Sequence, residues 1–297
     1  MLARGTASIQ RACSCEGRKL VSTSTCAALA PGAIAVRIAV VTPYHNESRE
    51  MLERCAASVR AQSVPVDQIF IADGSPHYWL EEGPNVTHIV LRKRTADYGD
   101  TPRSIGLVLG IRSGYDILQF LDADNFLTPD HFDETLRHFQ GRPPSDYPDL
   151  VLARRTMVRP DGTPISVELP DEDTFRHVDT SCFVFYRTAY RVAIKWSFIP
   201  PQLGFMDDRV FFAVLAQRHP SLKLAFNETR TVRYTCLWEA VYRDAGETPP
   251  PNSKNLEAHV KAAQQWWRNL DAHAKEAVEG MLGIPIWMPE DVLERRS

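Results

Sequence analysis

Two aspartates, Asp122 and Asp124, close an apolar run, Ile117-Leu118-Gln119-Phe120-Leu121, at spacing i, i+2. The run is short and carries Ile, Leu and Phe, so it reads as a buried strand. Its carboxylates then stand at the carboxyl end of a strand, where open α/β sheets bind their ligands. No Lys or Arg lies near them in sequence, so the two charges repel each other. A divalent cation relieves that repulsion. Mg²⁺ or Mn²⁺ takes one or two protein carboxylates and completes its shell with water and substrate phosphates. The chemistry indicated is a metal–diphosphate site. Asp-x-Asp also occurs in plain solvated turns, and Thr128-Pro129-Asp130 just beyond is a helix start, with Thr as N-cap and Pro at the first helical position. The surrounding elements must decide.

Those elements alternate. Val36 to Thr42 reads as a first buried strand closed by Pro43, and Glu47 to Gln62 as a helix with Met51, Leu52, Cys55, Ala56 and Val59 at helical spacing. A second strand, Gln68 to Ala72, runs into the turn Asp73-Gly74-Ser75. His88 to Leu91 is a third strand, Thr101 to Ser113 a helix, Ile117 to Leu121 the fourth strand, and Asp130 to Phe139 a helix. Leu150 to Ala153, Cys182 to Tyr186 and Leu222 to Phe226 are strand-like, with a turn at Arg159 to Pro164 and a helix at Asp207 to Gln217. After Pro249-Pro250-Pro251 the pattern predicts one long helical stretch, Leu256 to Met281. Strands alternating with helices imply an α/β fold, with a mostly parallel central sheet flanked by helices.

Composition sets the outer limits. The 297 residues are 44% hydrophobic and 24% charged, ordinary for a globular protein. The net charge of −3 offers no basic field for nucleic acid, so none is expected as a partner. No apolar run is long enough to predict a transmembrane segment. The cysteines Cys13, Cys15, Cys26, Cys55, Cys182 and Cys236 show no zinc spacing, and read as reduced thiols of a cytoplasmic protein. Residues 1–34 are rich in Ala, Ser, Thr, Cys and Arg, with Glu16 their only acid. They are expected to be a disordered extension or a targeting segment, an organelle transit peptide being one form of it. Residues 35–250 then make the main domain and 251–297 a C-terminal helical extension.

Four segments should meet at the sheet's carboxyl edge: Thr42 to Glu47, Asp73 to Ser75, Asp97 to Arg103, and Asp122 to Asp124. In these the chain resembles the inverting glycosyltransferases of family two, which have the GT-A (Rossmann-like) nucleotide-diphospho-sugar transferase fold. The shared pattern is an opening strand followed by Pro-x-x-Asn-x-Glu, an Asp-Gly-Ser turn, a Gly-x-x-x-Arg-x-x-Gly segment (Gly99, Arg103, Gly106), and Leu-Asp-x-Asp at Leu121 to Asp124. Each motif alone is commonly a turn, a strand terminator or a surface cation. Their ordered co-occurrence over residues 36–140 is far more specific.

The resemblance implies roles. Pro43, Glu47 and Asp73 would line the base and ribose of the nucleotide, and Arg103 would contact the base or the diphosphate. Asp122 would bind ribose or the metal, and Asp124 the metal directly, as Mn²⁺ or Mg²⁺. The family often has two acids in the second-strand turn. Here the first is Ala72, which leaves the base of a UDP-, GDP- or dTDP-sugar donor open. Downstream, Asp207-Asp208 stands where the family carries an acidic pair, and Asp208 would be the general base that deprotonates an acceptor hydroxyl, of a glycan or a lipid-linked acceptor among others. Helix N-capping explains the same two acids, and Asp207 is the competing base. His177-Val178-Asp179-Thr180-Ser181 is a second polar cluster suited to an acceptor pocket or to local turn bonding. Tyr234, Trp238 and Tyr242 suit the core better than sugar stacking.

The expected activity is therefore metal-assisted transfer of a sugar to a hydroxyl with inversion. A nucleotidyltransferase uses the same metal logic, but Tyr44-His45-Asn46-Glu47 has no Gly or Lys for its phosphate loop. A haloacid-type phosphatase would place Asp-x-Asp on its first core strand. A non-catalytic nucleotide-sugar binder would keep the loops and lack a working base.

Overall fold

The computed structural model describes residues 36–83, 85–169 and 177–286. The expectation for residues 1–34, with Cys13, Cys15 and Cys26, lies outside these. One eight-stranded sheet runs through the protein in the order β3-β2-β1-β4-β7-β6-β8-β5, comprising β1 (Ile38–Tyr44), β2 (Asp67–Asp73), β3 (Val86–Leu91), β4 (Ile117–Phe120), β5 (Phe126–Leu127), β6 (Leu150–Val158), β7 (Phe183–Tyr186) and β8 (Leu224–Thr235). The pairs β1–β2, β2–β3, β1–β4 and β6–β8 are parallel, and β7 is antiparallel to both of its neighbours.

The order reverses at β1. Its chain neighbour β2 lies on one side and β4 on the other, a topological switch point of the kind that opens a ligand crevice at the strands' carboxyl ends. Pro43 sits inside β1 rather than after it. The N–H of Leu121 donates to Val41 O, so alternate residues of β1 face β4 on that side. β4 ends at Phe120, opposite Val41. Pro43, two residues on, therefore faces the space beyond β4's end, where its missing N–H has no partner to lose.

Helices α1 (Arg49–Arg60) and α2 (Asp100–Arg112) cover the parallel half. α1 starts at Ser48, whose hydroxyl accepts from the Met51 N–H, and buries Leu52, Cys55, Ala56 and Val59 along one face. α2 lies close against the sheet because it has glycines there. A Cβ at Gly106 would come within 2.3 Å of Val41 Cγ1, and one at Gly110 within 2.6 Å of Leu118 Cδ2. The Gly of the Arg-x-x-Gly segment is thus a contact requirement, and the close seating carries Arg103 over the ends of β1 and β4. Gly99, at the start of α2, has φ +90, and a Cβ there would come within 3.3 Å of Pro43 Cβ.

The remaining helices are α3 (His131–Leu136), α4 (Tyr190–Ala193), α5 (Asp207–Arg218), α6 (Glu239–Asp244), α7 (Leu256–Asn269) and α8 (Ala272–Leu282). The stretch expected as one long helix is two, because Asp271 caps a new start by accepting from the Ala274 N–H at 2.8 Å. β8 is longer than expected, bulged where Leu152 gives way to Arg154 and Arg155 opposite it. The turn at Arg159 to Pro164 forms, with Gly162 N–H donating to Arg159 O at 2.8 Å and Val158 bridging Pro164. Ala263, Leu282 and Ile284 join the main hydrophobic core, so residues 256–286 pack onto the domain. Among the described residues no helix is long and apolar enough to cross a membrane.

Candidate active site

The cleft at the sheet's carboxyl edge encloses about 190 Å³. Asp122, from the end of β4, shares it with Arg103 of α2 and with Asp207 and Asp208 at the start of α5. His177, Asp179 and Thr180 come from the segment before β7, Arg155 and Tyr234 from β6 and β8, and Tyr98, Trp238 and Lys254 stand at its walls. Sequence segments that are far apart therefore meet here.

Arg103 is the hub. Its Nη1 donates to Asp100 Oδ1 at 2.8 Å and to Asp207 Oδ2 at 3.3 Å, and its Nη2 to Asp122 Oδ1 at 2.8 Å. It is 1% exposed and rests on an aromatic floor, 5.6 Å from the Phe120 ring and 5.5 Å from Trp196. Burial works against its charge, but the carboxylates of Asp122, Asp207 and Asp100 outweigh it and hold the guanidinium firmly protonated. Both of its terminal nitrogens are thus engaged by the protein, and it orients the acids around it. The Trp196 Nε1–H adds a bond to Asp100 Oδ1 at 2.8 Å.

The two acids of α5 separate cleanly. Asp207 is buried, bonded to Arg103 and to the Thr180 hydroxyl, and pushed well above the carboxylate range by burial and by the charge of Asp100. Asp208 faces His177, whose Nε2 lies 2.8 Å from Asp208 Oδ2. Burial pushes the Asp208 carboxyl up, but His177, with Arg209 and Arg155, brings it below its ordinary value. Burial lowers His177 in turn, against the pull of Asp208. Asp208 is the acid held below its ordinary value, and Asp207, raised by burial and tied to Arg103, builds the frame.

Asp122 and Asp124 are half-buried on the turn after β4. Asn125 locks that turn. Its Oδ1 accepts from the Thr235 N–H at 2.8 Å, and its Nδ2 donates to Ser181 Oγ at 2.9 Å. The Asp124 carboxylate has no hydrogen-bond partner among the described residues. It is pushed up to about 7 by burial and by the charges of Asp122 and Glu47. This is a group short of positive charge, so the donor set fits a cation. Among the described residues no three His, Cys, Asp or Glu gather into a closed metal centre. A cation here would take two carboxylates and leave its other positions to water and phosphate oxygens, which is hard-cation chemistry.

Pro43, Glu47 and Asp73 lie at the ends of β1 and β2, off this cleft. Pro43 occupies the space a side chain on Gly99 would need, and Glu47 Oε2 accepts from the His45 N–H at 2.6 Å. Asp73, 5% exposed, accepts from Thr95 N at 2.7 Å, Thr95 Oγ1 at 3.1 Å and Ala96 N at 3.4 Å. In this structure the Asp73 carboxylate anchors the 95–99 loop, in which Ala96 and Tyr98 both take positive φ, at 55° and 59°. That loop leads into α2 and so sets Arg103. Sequence reasoning did not pair His177 with Asp208 or bring in Lys254, and it reached Tyr98 and Asp100 only as part of the Asp97 to Arg103 segment, with no role for either. Only Asp100 carried a legible signal, three residues before Arg103 on the same helix.

The fold is a GT-A fold, the class of nucleotide-diphospho-sugar transferase architecture. Crystal structures of S. aureus TarS share it. The 1–349 fragment of TarS matches with a TM-score of 0.51 at 14% identity, over 83% of this chain and 71% of that one. A longer TarS structure matches with a TM-score of 0.51 at 14% identity, over 83% of this chain and 43% of that one. No family model and no curated protein matches the sequence. The likeness to TarS is one of fold.

Proposed function

We propose that the protein transfers a sugar from a nucleotide-diphosphate sugar to an acceptor hydroxyl, with inversion and with the help of a divalent cation. The observation that carries this reading is that Asp122 and Asp208, from distant parts of the chain, wall one cleft, with Asp208 held as a carboxylate beside His177. Asp208 accepts the proton of the acceptor hydroxyl as its oxygen bonds to the anomeric carbon. The bond from that carbon to the diphosphate oxygen breaks, and the nucleoside diphosphate leaves. Arg103 and Asp207 fix the frame in which Asp208 and Asp122 stand. Pro43 and Glu47 border the nucleoside, and Asp73 shapes that side through the Thr95 loop. Asp122 and Asp124 would hold Mn²⁺ or Mg²⁺, which when bound neutralises charge on the diphosphate.

Calorimetric titration with UDP, GDP and dTDP, each in Mn²⁺ and in EDTA, tests the donor half of the reading. One diphosphate should bind, at least tenfold more weakly in EDTA. Equal affinity in the two buffers removes the metal from the reading. No binding by any of the three removes the nucleotide.

A further inference from the structure

Lys254 lies beyond the proline run, in the part of the chain that the sequence presents as a helical extension. Its backbone is pinned to the cleft. The Lys254 N–H donates to Leu237 O at 2.6 Å, its carbonyl accepts from the Glu239 N–H at 3.1 Å, and the two strands of chain form a parallel bridge between Trp238 and Lys254. Pro249, Pro250 and Pro251 stiffen the approach to it. The side chain passes over Trp238, with Nζ 5.5 Å from the ring centroid, and forms part of the wall that includes Arg103, Asp122 and Asp208.

The cations of the cleft differ in how they are used. Arg103 is shared among three carboxylates, and Arg155 Nη1 meets Asp179 Oδ2 at 3.5 Å. The Lys254 ammonium is exposed, and among the described residues it has no carboxylate within ion-pair distance and no hydrogen-bond acceptor. A compact, strongly hydrated point charge of this kind is suited to phosphate oxygens. Holding it by main-chain bonds over an aromatic face reduces the ordering cost of binding.

We propose that Lys254 is a phosphate-binding residue of the donor site, its ammonium contacting the diphosphate beside the Asp122–Asp124 turn. This rests on the donor reading above. It makes the C-terminal segment part of the site, and gives the departing diphosphate a cation supplied by the protein itself.

The test uses the full chain with Mn²⁺ and compares wild type with Lys254→Met and Lys254→Arg. UDP, GDP and dTDP are titrated by calorimetry. The nucleoside of whichever binds is followed by ligand-observed NMR. Lys254→Met should weaken the diphosphate about tenfold and the nucleoside less than twofold, and Lys254→Arg should stay within about threefold of wild type. Wild-type diphosphate affinity in Lys254→Met overturns the proposal. So does an equal loss for nucleoside and diphosphate, or an equal loss in both variants, since either marks a packing role. If wild type binds none of the diphosphates, the donor reading fails and this one with it. Binding by wild type without a Lys254 effect overturns this proposal alone.

Discussion

Two buried polar networks hang from β4, and they are built on different terms. On one side Gln119 meets His131, whose Nε2 lies 2.7 Å from Gln119 Oε1 and whose Nδ1 lies 2.7 Å from Thr231 Oγ1. The Gln119 amide nitrogen donates to Ser181 O at 2.9 Å. Gln119 Oε1 can only accept, so His131 donates from Nε2, and its Nδ1 accepts from the Thr231 hydroxyl. Every member is neutral and paired. Burial holds His131 down to about 3, so it stays neutral. Just beyond β4, the Arg103 network concentrates Asp100, Asp122 and Asp207 around one guanidinium, and among the described residues it leaves Arg103 Nε and Asp100 Oδ2 buried without hydrogen-bond partners.

A neutral, saturated network stabilises a core and specifies its packing. A charged, incompletely satisfied one costs stability, and it is found where it borders a cleft. Burial and hydrogen-bond count alone do not separate the two. Net charge and access to the cleft do.

The largest expected effect lies on the cleft side. Asp208→Asn should keep nucleotide affinity and melting temperature while lowering sugar transfer by roughly 10²–10⁴-fold, the scale of general base catalysis. Asp207→Asn should cost less in turnover, because Asp207 is already bonded into the frame. Steady-state transfer assays on both variants decide it. The reverse order would make Asp207 the base, and full turnover in both would send the search to Asp179.

Next comes the hub itself. Arg103→Met removes the shared cation from three carboxylates, and should cost about 3–5 kcal/mol in urea unfolding, as for a buried pair stripped of one partner. A loss under about 1 kcal/mol would mean that the acids take up protons and that the ion pairs with Arg103 add little to stability.

The last effect belongs to the neutral network, appears only in pH and is at most about 1.4 kcal/mol over any one pH unit. His131 titrates near its usual 6.5 when unfolded and at about 3 when folded, so the unfolded chain binds more protons between those values. Its contribution is therefore complete above pH 6.5 and is lost as pH falls towards 3, by up to about 1.4 kcal/mol per pH unit. Asp100, Asp124 and Asp179 are shifted upward and act with the opposite sign in an overlapping range. The informative quantity is thus the stability difference between wild type and His131→Asn. It should shrink as pH is lowered from 6.5. A difference independent of pH would show that His131 is not held neutral by its surroundings.

Local pattern carried much of this protein. Short continuous apolar runs marked β1, β2 and β4, which the structure buries on both faces, and helical apolar spacing marked α1, because burial of an element is written in neighbouring residues. Turn chemistry placed Asp73 and the Asp122–Asp124 pair at strand ends, and the order of the motifs pointed to the fold. Tertiary structure alone decided what these residues meet. Asp73 is spent on the Thr95 loop, Arg103 is divided among three acids, His177 faces Asp208, and Lys254 is bridged to Trp238 at the cleft. Nor could periodicity say that β7 enters the sheet antiparallel between β4 and β6, or that Asp271 breaks the last helix in two. The physical reason is range. Propensity, capping and amphipathic spacing act over a few residues. The pairings that make the cleft join segments many tens of residues apart, held there by the shared core rather than by any pattern in the segments themselves.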